Sequence, residues 1–156
     1  MIRTIAIFAL LVACAQARNI SFTNCASNGK IINVNVVPCD SDPCDFEPGQ
    51  EVKLNGSFVS YKSESNPVLK TEVKMGNSWV QYPDVDTDAC KYTTCPVKAN
   101  NTYAYNVTLK VVDWPVSFET EMRFRLLDIH ALSSLGLGDI LMNLHGSEDK
   151  WSKIDK

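Results

Sequence analysis

Residues 118–126 alternate strictly. Phe118, Thr120, Met122, Phe124 and Leu126 fall on one face, and Glu119, Glu121, Arg123 and Arg125 fall on the other. A period of two is that of a half-buried strand, whose side chains point by turns to core and solvent. The same period runs through residues 103–111, where Tyr103, Tyr105, Val107, Leu109 and Val111 oppose Ala104, Asn106, Thr108 and Lys110. Shorter strands are predicted at 20–23, 31–37, 51–61, 68–75 and 79–82. Turn chemistry separates them at Ser27-Asn28-Gly29, Pro48-Gly49, Ser65-Asn66-Pro67, Gly76-Asn77 and Asn100-Asn101. Seven short strands with no helical stretch between them predict an all-β, antiparallel sandwich or barrel. The pattern shows no internal repeat, low-complexity segment or interdomain linker.

After Asp128 the alternation is lost. Leu132, Leu135, Ile140, Leu141 and Leu144 fit one side of a helix interrupted by Gly136 and Gly138. Two glycines inside a helix cost about 1 kcal/mol each relative to alanine, so a poorly ordered tail is the competing expectation. Residues 146–156 are polar and charged apart from Trp151 and Ile154.

The first residues have a different character. Arg3 precedes an apolar run over 5–14 that ends in Ala15-Gln16-Ala17, the layout of a cleaved export signal occupying 1–17. The run is shorter than the ~20 residues a membrane-spanning helix requires. Residues 18–156 then suit one domain of the secretory or endolysosomal route. Removing Arg3 with the signal takes the net charge from −3 to −4, and the basic residues are scattered, which excludes an electrostatic footprint for nucleic acid. Four Asn-x-Ser/Thr sequons, read at Asn19, Asn55, Asn101 and Asn106, are the expected glycosylation sites.

Of six cysteines, Cys14 leaves with the signal and five remain. The spacing within Cys39–Cys44 and Cys90–Cys95 makes two short disulfide loops the natural reading in an oxidising compartment, although five thiols permit many connectivities. Cys25 is left unpaired. The cysteine pairs lack accompanying histidines at zinc spacing, so no metal is expected. Catalytic chemistry is sparse as well. Histidine occurs only at His130 and His145, in the anomalous tail, and Glu119 and Glu121 are interleaved with Arg123 and Arg125 as on a solvated strand face. No glycine-rich phosphate cradle is present. The chain therefore reads as a non-enzyme without a cofactor, whose function arises between its sheets or on its surface.

Val37-Pro38-Cys39, Pro43-Cys44, Cys90, Cys95-Pro96, Thr102-Tyr103 and Trp114-Pro115, together with Cys25 near the mature start, resemble the ML-domain lipid-recognition family, and within it the Niemann-Pick type C2 branch of sterol-binding proteins. The resemblance covers residues 20–128. It implies an immunoglobulin-like β-sandwich over 18–128 whose sheets separate to hold a sterol or similar lipid, with no cofactor and no catalysis. By resemblance Tyr82, eight residues before Cys90, is a cavity-lining aromatic, and Val111 and Trp114 fall near two further lining positions. Phe58, Tyr103, Tyr105, Phe118, Met122 and Phe124 are inward-facing candidates from periodicity, with ordinary core packing the alternative for all nine. Trp79 is a candidate for the mouth. The partners implied are a lipid ligand and a membrane lipid-transfer partner. The competing reading is an extracellular interaction module that recognises a protein or glycolipid, in innate immune recognition or as a hydrolase activator.

The family continues after the strand at 118–126 with a last strand whose cysteine bridges to the one matching Cys25. No cysteine follows Cys95 here. Residues 129–156 are accordingly read as a divergent tail, a splice variant or a mispredicted exon that replaces the last strand. An unpaired sheet edge is then expected. Cys25 is left either free in a monomer or linking two chains.

Overall fold

The computed structural model describes residues 17–24, 28–128 and 134–144. Nearly all of the expected export signal, Cys25, His130, His145 and the chain beyond Leu144 lie outside the described residues. Ten strands follow one another: β1 (Arg18–Asn19), β2 (Phe22–Asn24), β3 (Gly29–Val37), β4 (Cys44–Phe46), β5 (Glu51–Ser60), β6 (Val68–Met75), β7 (Ser78–Gln81), β8 (Asn101–Lys110), β9 (Phe118–Leu127) and β10 (Ser134–Leu144). They form two sheets, one in the order β1-β3-β5-β8 and the other β2-β10-β9-β6-β7, with β4 added beside β10. All pairings are antiparallel except the parallel pairing of β4 with β10. The expected all-β sandwich is thus the observed architecture.

Alternation dictates the core. In the first sheet Val52 lies opposite Leu109, and Leu54 opposite Val107. In the second, Leu69 lies opposite Leu126 and Val73 opposite Met122. All eight are buried. Paired residues on adjacent strands share a face, so these rows form the facing walls of the sandwich. The β6–β7 hairpin closes through Gly76-Asn77, with Met75 paired to Ser78. Gly76 has φ of +60° at the first turn position, where a type II′ turn needs a residue that tolerates the left-handed region.

The carboxy-terminal expectation requires correction. Residues 134–144 form neither a helix nor a loose tail: β10 runs antiparallel along the full length of β9, from Ser134↔Leu127 to Leu144↔Phe118. The edge expected to be open is filled. The backbone groups of β9 dominate the outcome, because an unsatisfied edge beside the core costs more than two glycines within a strand. β10 also takes β2 and β4 on its other side, and Leu144 is buried at its end.

One long side of the sandwich is closed by the segment between β7 and β8. It is fastened to β6, where Leu69 N donates to Thr87 O and Ala89 N to Pro67 O. It is fastened equally to the free edge of β8, where Asn106 N donates to Tyr92 O and the Thr93 hydroxyl to Ala104 O. Within it a short 3₁₀ turn (Ala89–Lys91) is capped by the Asp88 carboxylate, which accepts from Cys90 N. The Cys90–Cys95 disulfide pins this segment, and Cys39–Cys44 pins the approach to β4. Both short loops expected from spacing are present.

Candidate functional site

Between the sheets lies an internal cavity of about 70 Å³. Phe58 of β5, Tyr105 and Val107 of β8, Phe124 and Leu126 of β9, and Leu69 of β6 wall it, and Ala89, Tyr92 and Thr93 of the closing segment complete it. Among the described residues no charged side chain lines it. A void of this lining stays dry and accepts hydrocarbon. Phe58 sits at the centre of an aromatic group, with its ring centroid 5.7 Å from that of Tyr103 and 6.4 Å from that of Tyr105.

The polar groups near the cavity are already used. The Tyr105 hydroxyl donates to the Asn33 carbonyl at 3.1 Å, and burial pushes the phenol well above its ordinary range, so it stays neutral. The Tyr92 hydroxyl accepts from Asp86 N at 2.9 Å. The Tyr103 hydroxyl accepts from Lys98 N at 2.7 Å. Among the described residues no cluster of His, Cys, Asp or Glu has the geometry to hold a metal.

A second void, an open groove of about 540 Å³, lies where the β6–β7 turn meets the start of β9. Trp114, Pro115, Val116 and Phe118 form its apolar side, and Lys74, Glu119 and Glu121 its polar rim. Trp114 packs edge-on against Phe118, with centroids 5.5 Å apart. The buried Trp114 Nε1 has no acceptor among the described residues. Met75 and Val116 are exposed here, as is Val80 on the neighbouring β7.

The nine residues expected to meet a lipid are therefore distributed. Phe58, Tyr105 and Phe124 line the cavity, while Trp114 and Phe118 line the groove. Tyr82, Val111 and Met122 are buried but line neither void, and Tyr103 supports the cavity by stacking on Phe58. Tyr82 has a further engagement: its hydroxyl donates to Lys110 O at 2.9 Å and accepts from Val112 N at 3.1 Å. Burial raises its pKa, against the lowering influence of the Val112 hydrogen bond. Trp79 is on the outer face of the second sheet, where the Arg123 guanidinium covers it 3.7 Å from the ring centroid. The sequence reasoning missed Ala89, Tyr92 and Thr93. Their signal was proximity to the Cys90–Cys95 loop, which ties that segment across the gap.

Asn19, Asn101 and Asn106 are exposed and Asn55 is half-buried on β5. The third sequon belongs to the exposed Asn100, because Thr102 stands two residues beyond it and Tyr103 stands two beyond Asn101.

A sequence model of the ML domain matches residues 19–133. The chain belongs to the ML-domain family. Within it, the chain is 32% identical over 120 residues to the NPC intracellular cholesterol transporter 2 of Mus musculus, covering 76% of this chain and 80% of that one. It is 27% identical over 138 residues to the mite group 2 allergen Lep d 2 of Lepidoglyphus destructor, covering 87% and 95% respectively. The crystal structure of a Niemann-Pick type C2 protein from the Japanese carpenter ant superposes with a TM-score of 0.71 at 18% identity, covering 80% of this chain and 98% of that one. The two-sheet arrangement of this ML domain is thus shared with a solved relative.

Proposed function

We propose that this ML domain is a non-enzymatic carrier that binds a sterol or similar lipid between its sheets and transfers it, in the secretory or endolysosomal lumen. The observation that carries the reading is an internal cavity walled by apolar side chains with no charge, in a chain whose relatives include cholesterol transporters by name. At about 70 Å³ the cavity falls below the ~300 Å³ at which small-molecule sites begin. Loading therefore requires the sheets to separate. Burying ~300 Å² of ligand hydrocarbon at roughly 25 cal/mol per Å² offers about 7 kcal/mol before association costs, enough for reversible binding. The indole N–H of Trp114, which has no acceptor among the described residues, would suit a ligand hydroxyl at the groove.

The test is a native mass spectrum, without reducing agent, of protein secreted from a eukaryotic host. A monomer carrying a lipid-sized adduct is expected. A clean spectrum that stays clean after incubation with sterol-loaded vesicles overturns the carrier reading and favours the interaction module.

A further inference from the structure

The cavity and the groove occupy successive levels of the same sandwich. Along β9, residues 118–121 line the groove, while Phe124 and Leu126 line the cavity; Met122, between them, lines neither. In the first sheet Tyr105 and Val107 line the cavity and Trp114, beyond the end of β8, lines the groove; Leu109 and Val111 line neither. Between the two linings in strand order lies a layer of Val73, Tyr82, Leu109, Val111 and Met122, which line neither void, and none of the five is more than 6% exposed.

Tyr82 is the member of that layer that joins the sheets by hydrogen bonds. Its backbone N–H donates to Thr71 O in the second sheet. Its hydroxyl donates to Lys110 O and accepts from Val112 N at the edge of the first. Those two groups face away from β5, because Val111 uses its own N–H and carbonyl on Gln50 O and Gly49 N. The other four members hold the sheets by apolar contact, which is non-directional and lets one side chain slide past another. The hydrogen bonds of Tyr82 require a set distance and angle.

We propose that the Tyr82 hydroxyl is a latch: it holds the partition shut between groove and cavity, and its release lets a sterol-like lipid pass from one to the other and occupy both. The proposal rests on the carrier reading. The released Lys110 carbonyl and Val112 N–H lie on a strand edge where water can replace the phenol, so opening is reversible and the latch sets rates more than affinity. Burial keeps the phenol neutral, and so able to donate and accept at once.

The experiment is stopped-flow exchange of a fluorescent sterol with the full secreted protein. Tyr82→Phe keeps the ring and deletes the latch; it is expected to raise loading and release rates about ten- to a hundredfold, the range for the loss of one to two ordinary hydrogen bonds, with Kd changed less than threefold. Ser60→Ala is the control for stability. The Ser60 hydroxyl also makes two hydrogen bonds, to Lys62 O and from Lys62 N, but spans no sheet gap, so exchange should keep its wild-type rates. Should Tyr82→Phe fail to fold, hydrogen exchange on the wild type decides: the Val112 amide is expected to lose protection on sterol loading. Wild-type protein that loads sterol while Tyr82→Phe keeps wild-type rates, or while Ser60→Ala accelerates equally, overturns the latch alone. Unchanged Val112 protection in loaded protein does the same. Wild-type protein that loads no sterol overturns the carrier reading together with the latch.

Discussion

The Tyr105 hydroxyl reaches across the middle strand of its sheet to the carbonyl of Asn33 on β3, 3.1 Å away. The β3–β5 register shifts between Ile31 and Asn33, an irregularity that leaves the ladder locally disrupted. The phenol supplies a partner for a carbonyl at that point, and its ring forms cavity wall. Tyr105→Phe keeps the wall and removes the partner. Thermal or urea unfolding is expected to show a loss of about 1–2 kcal/mol, with lipid uptake retained; an unchanged midpoint would mean that water already serves the Asn33 carbonyl.

The reach of Tyr105 depends on Gly56, which lies opposite it on β5. A Cβ at position 56 would stand 2.1 Å from Asn33 O and 2.6 Å from the Tyr105 hydroxyl. The nearer obstacle is backbone, which cannot swing aside as a side chain does. Gly56→Ala is expected to cost about 3 kcal/mol. Adding Tyr105→Ala should not restore stability, and full rescue in a denaturation series would show that the ring, not the bulged strand, is the obstacle.

The strands that carry the core were legible because β8 and β9 alternate without interruption, so period alone assigns Val107, Leu109, Met122 and Leu126 to the interior. The strand β10 was not, since Gly136 and Gly138 with leucines at both odd and even positions blur the period, and only pairing with β9 resolves it. The candidate site was half legible. Periodicity places Phe58, Tyr105 and Phe124 inward, but the partition at Tyr82 depends on partners 28 and 30 residues away. Nothing local in the sequence distinguishes a phenol that lines a cavity from one that bolts two sheets.

Glu72 is buried on the second sheet, with Lys70 Nζ 2.8 Å and Arg125 Nη2 2.6 Å from its carboxylate. Desolvation raises its pKa, but the hydrogen bonds and charges of Lys70 and Arg125 outweigh it and hold the group below the ordinary value of 4.5. A depressed folded pKa contributes stability that is present above the unfolded value and lost as pH falls through the folded one. The ion pairs therefore persist at mildly acidic pH. Arg125→Ala leaves the buried carboxylate with Lys70 alone and is expected to cost about 2–3 kcal/mol, whereas Lys70→Ala, at a more exposed cation, costs under about 1. Urea titrations at neutral pH rank the two, and equal costs would show that the carboxylate is solvated.

The Cys90–Cys95 bridge closes a six-residue loop in the segment that supplies Ala89, Tyr92 and Thr93 to the cavity. In the chain-entropy model a loop this short contributes about 2 kcal/mol. Replacing both cysteines by serine is expected to lower stability by about that amount and to shorten the residence time of a bound fluorescent lipid. The paired replacement at Cys39 and Cys44, away from the cavity, should cost similar stability and leave residence time alone. If both pairs shorten it equally, the effect is global loosening and the segment has no special part in holding ligand.

Thr71 is wholly buried opposite Phe124, and its hydroxyl has no partner among the described residues. A buried hydroxyl without a hydrogen bond retains its desolvation cost and returns nothing for it. Valine has nearly the same shape and suits a strand. Thr71→Val is thus expected to stabilise the fold by about 0.5–1 kcal/mol, read as a higher denaturation midpoint with an unchanged slope. A loss of 1 kcal/mol or more would instead reveal a partner for the hydroxyl, and a loss seen only in lipid-loaded protein would identify that partner as the ligand.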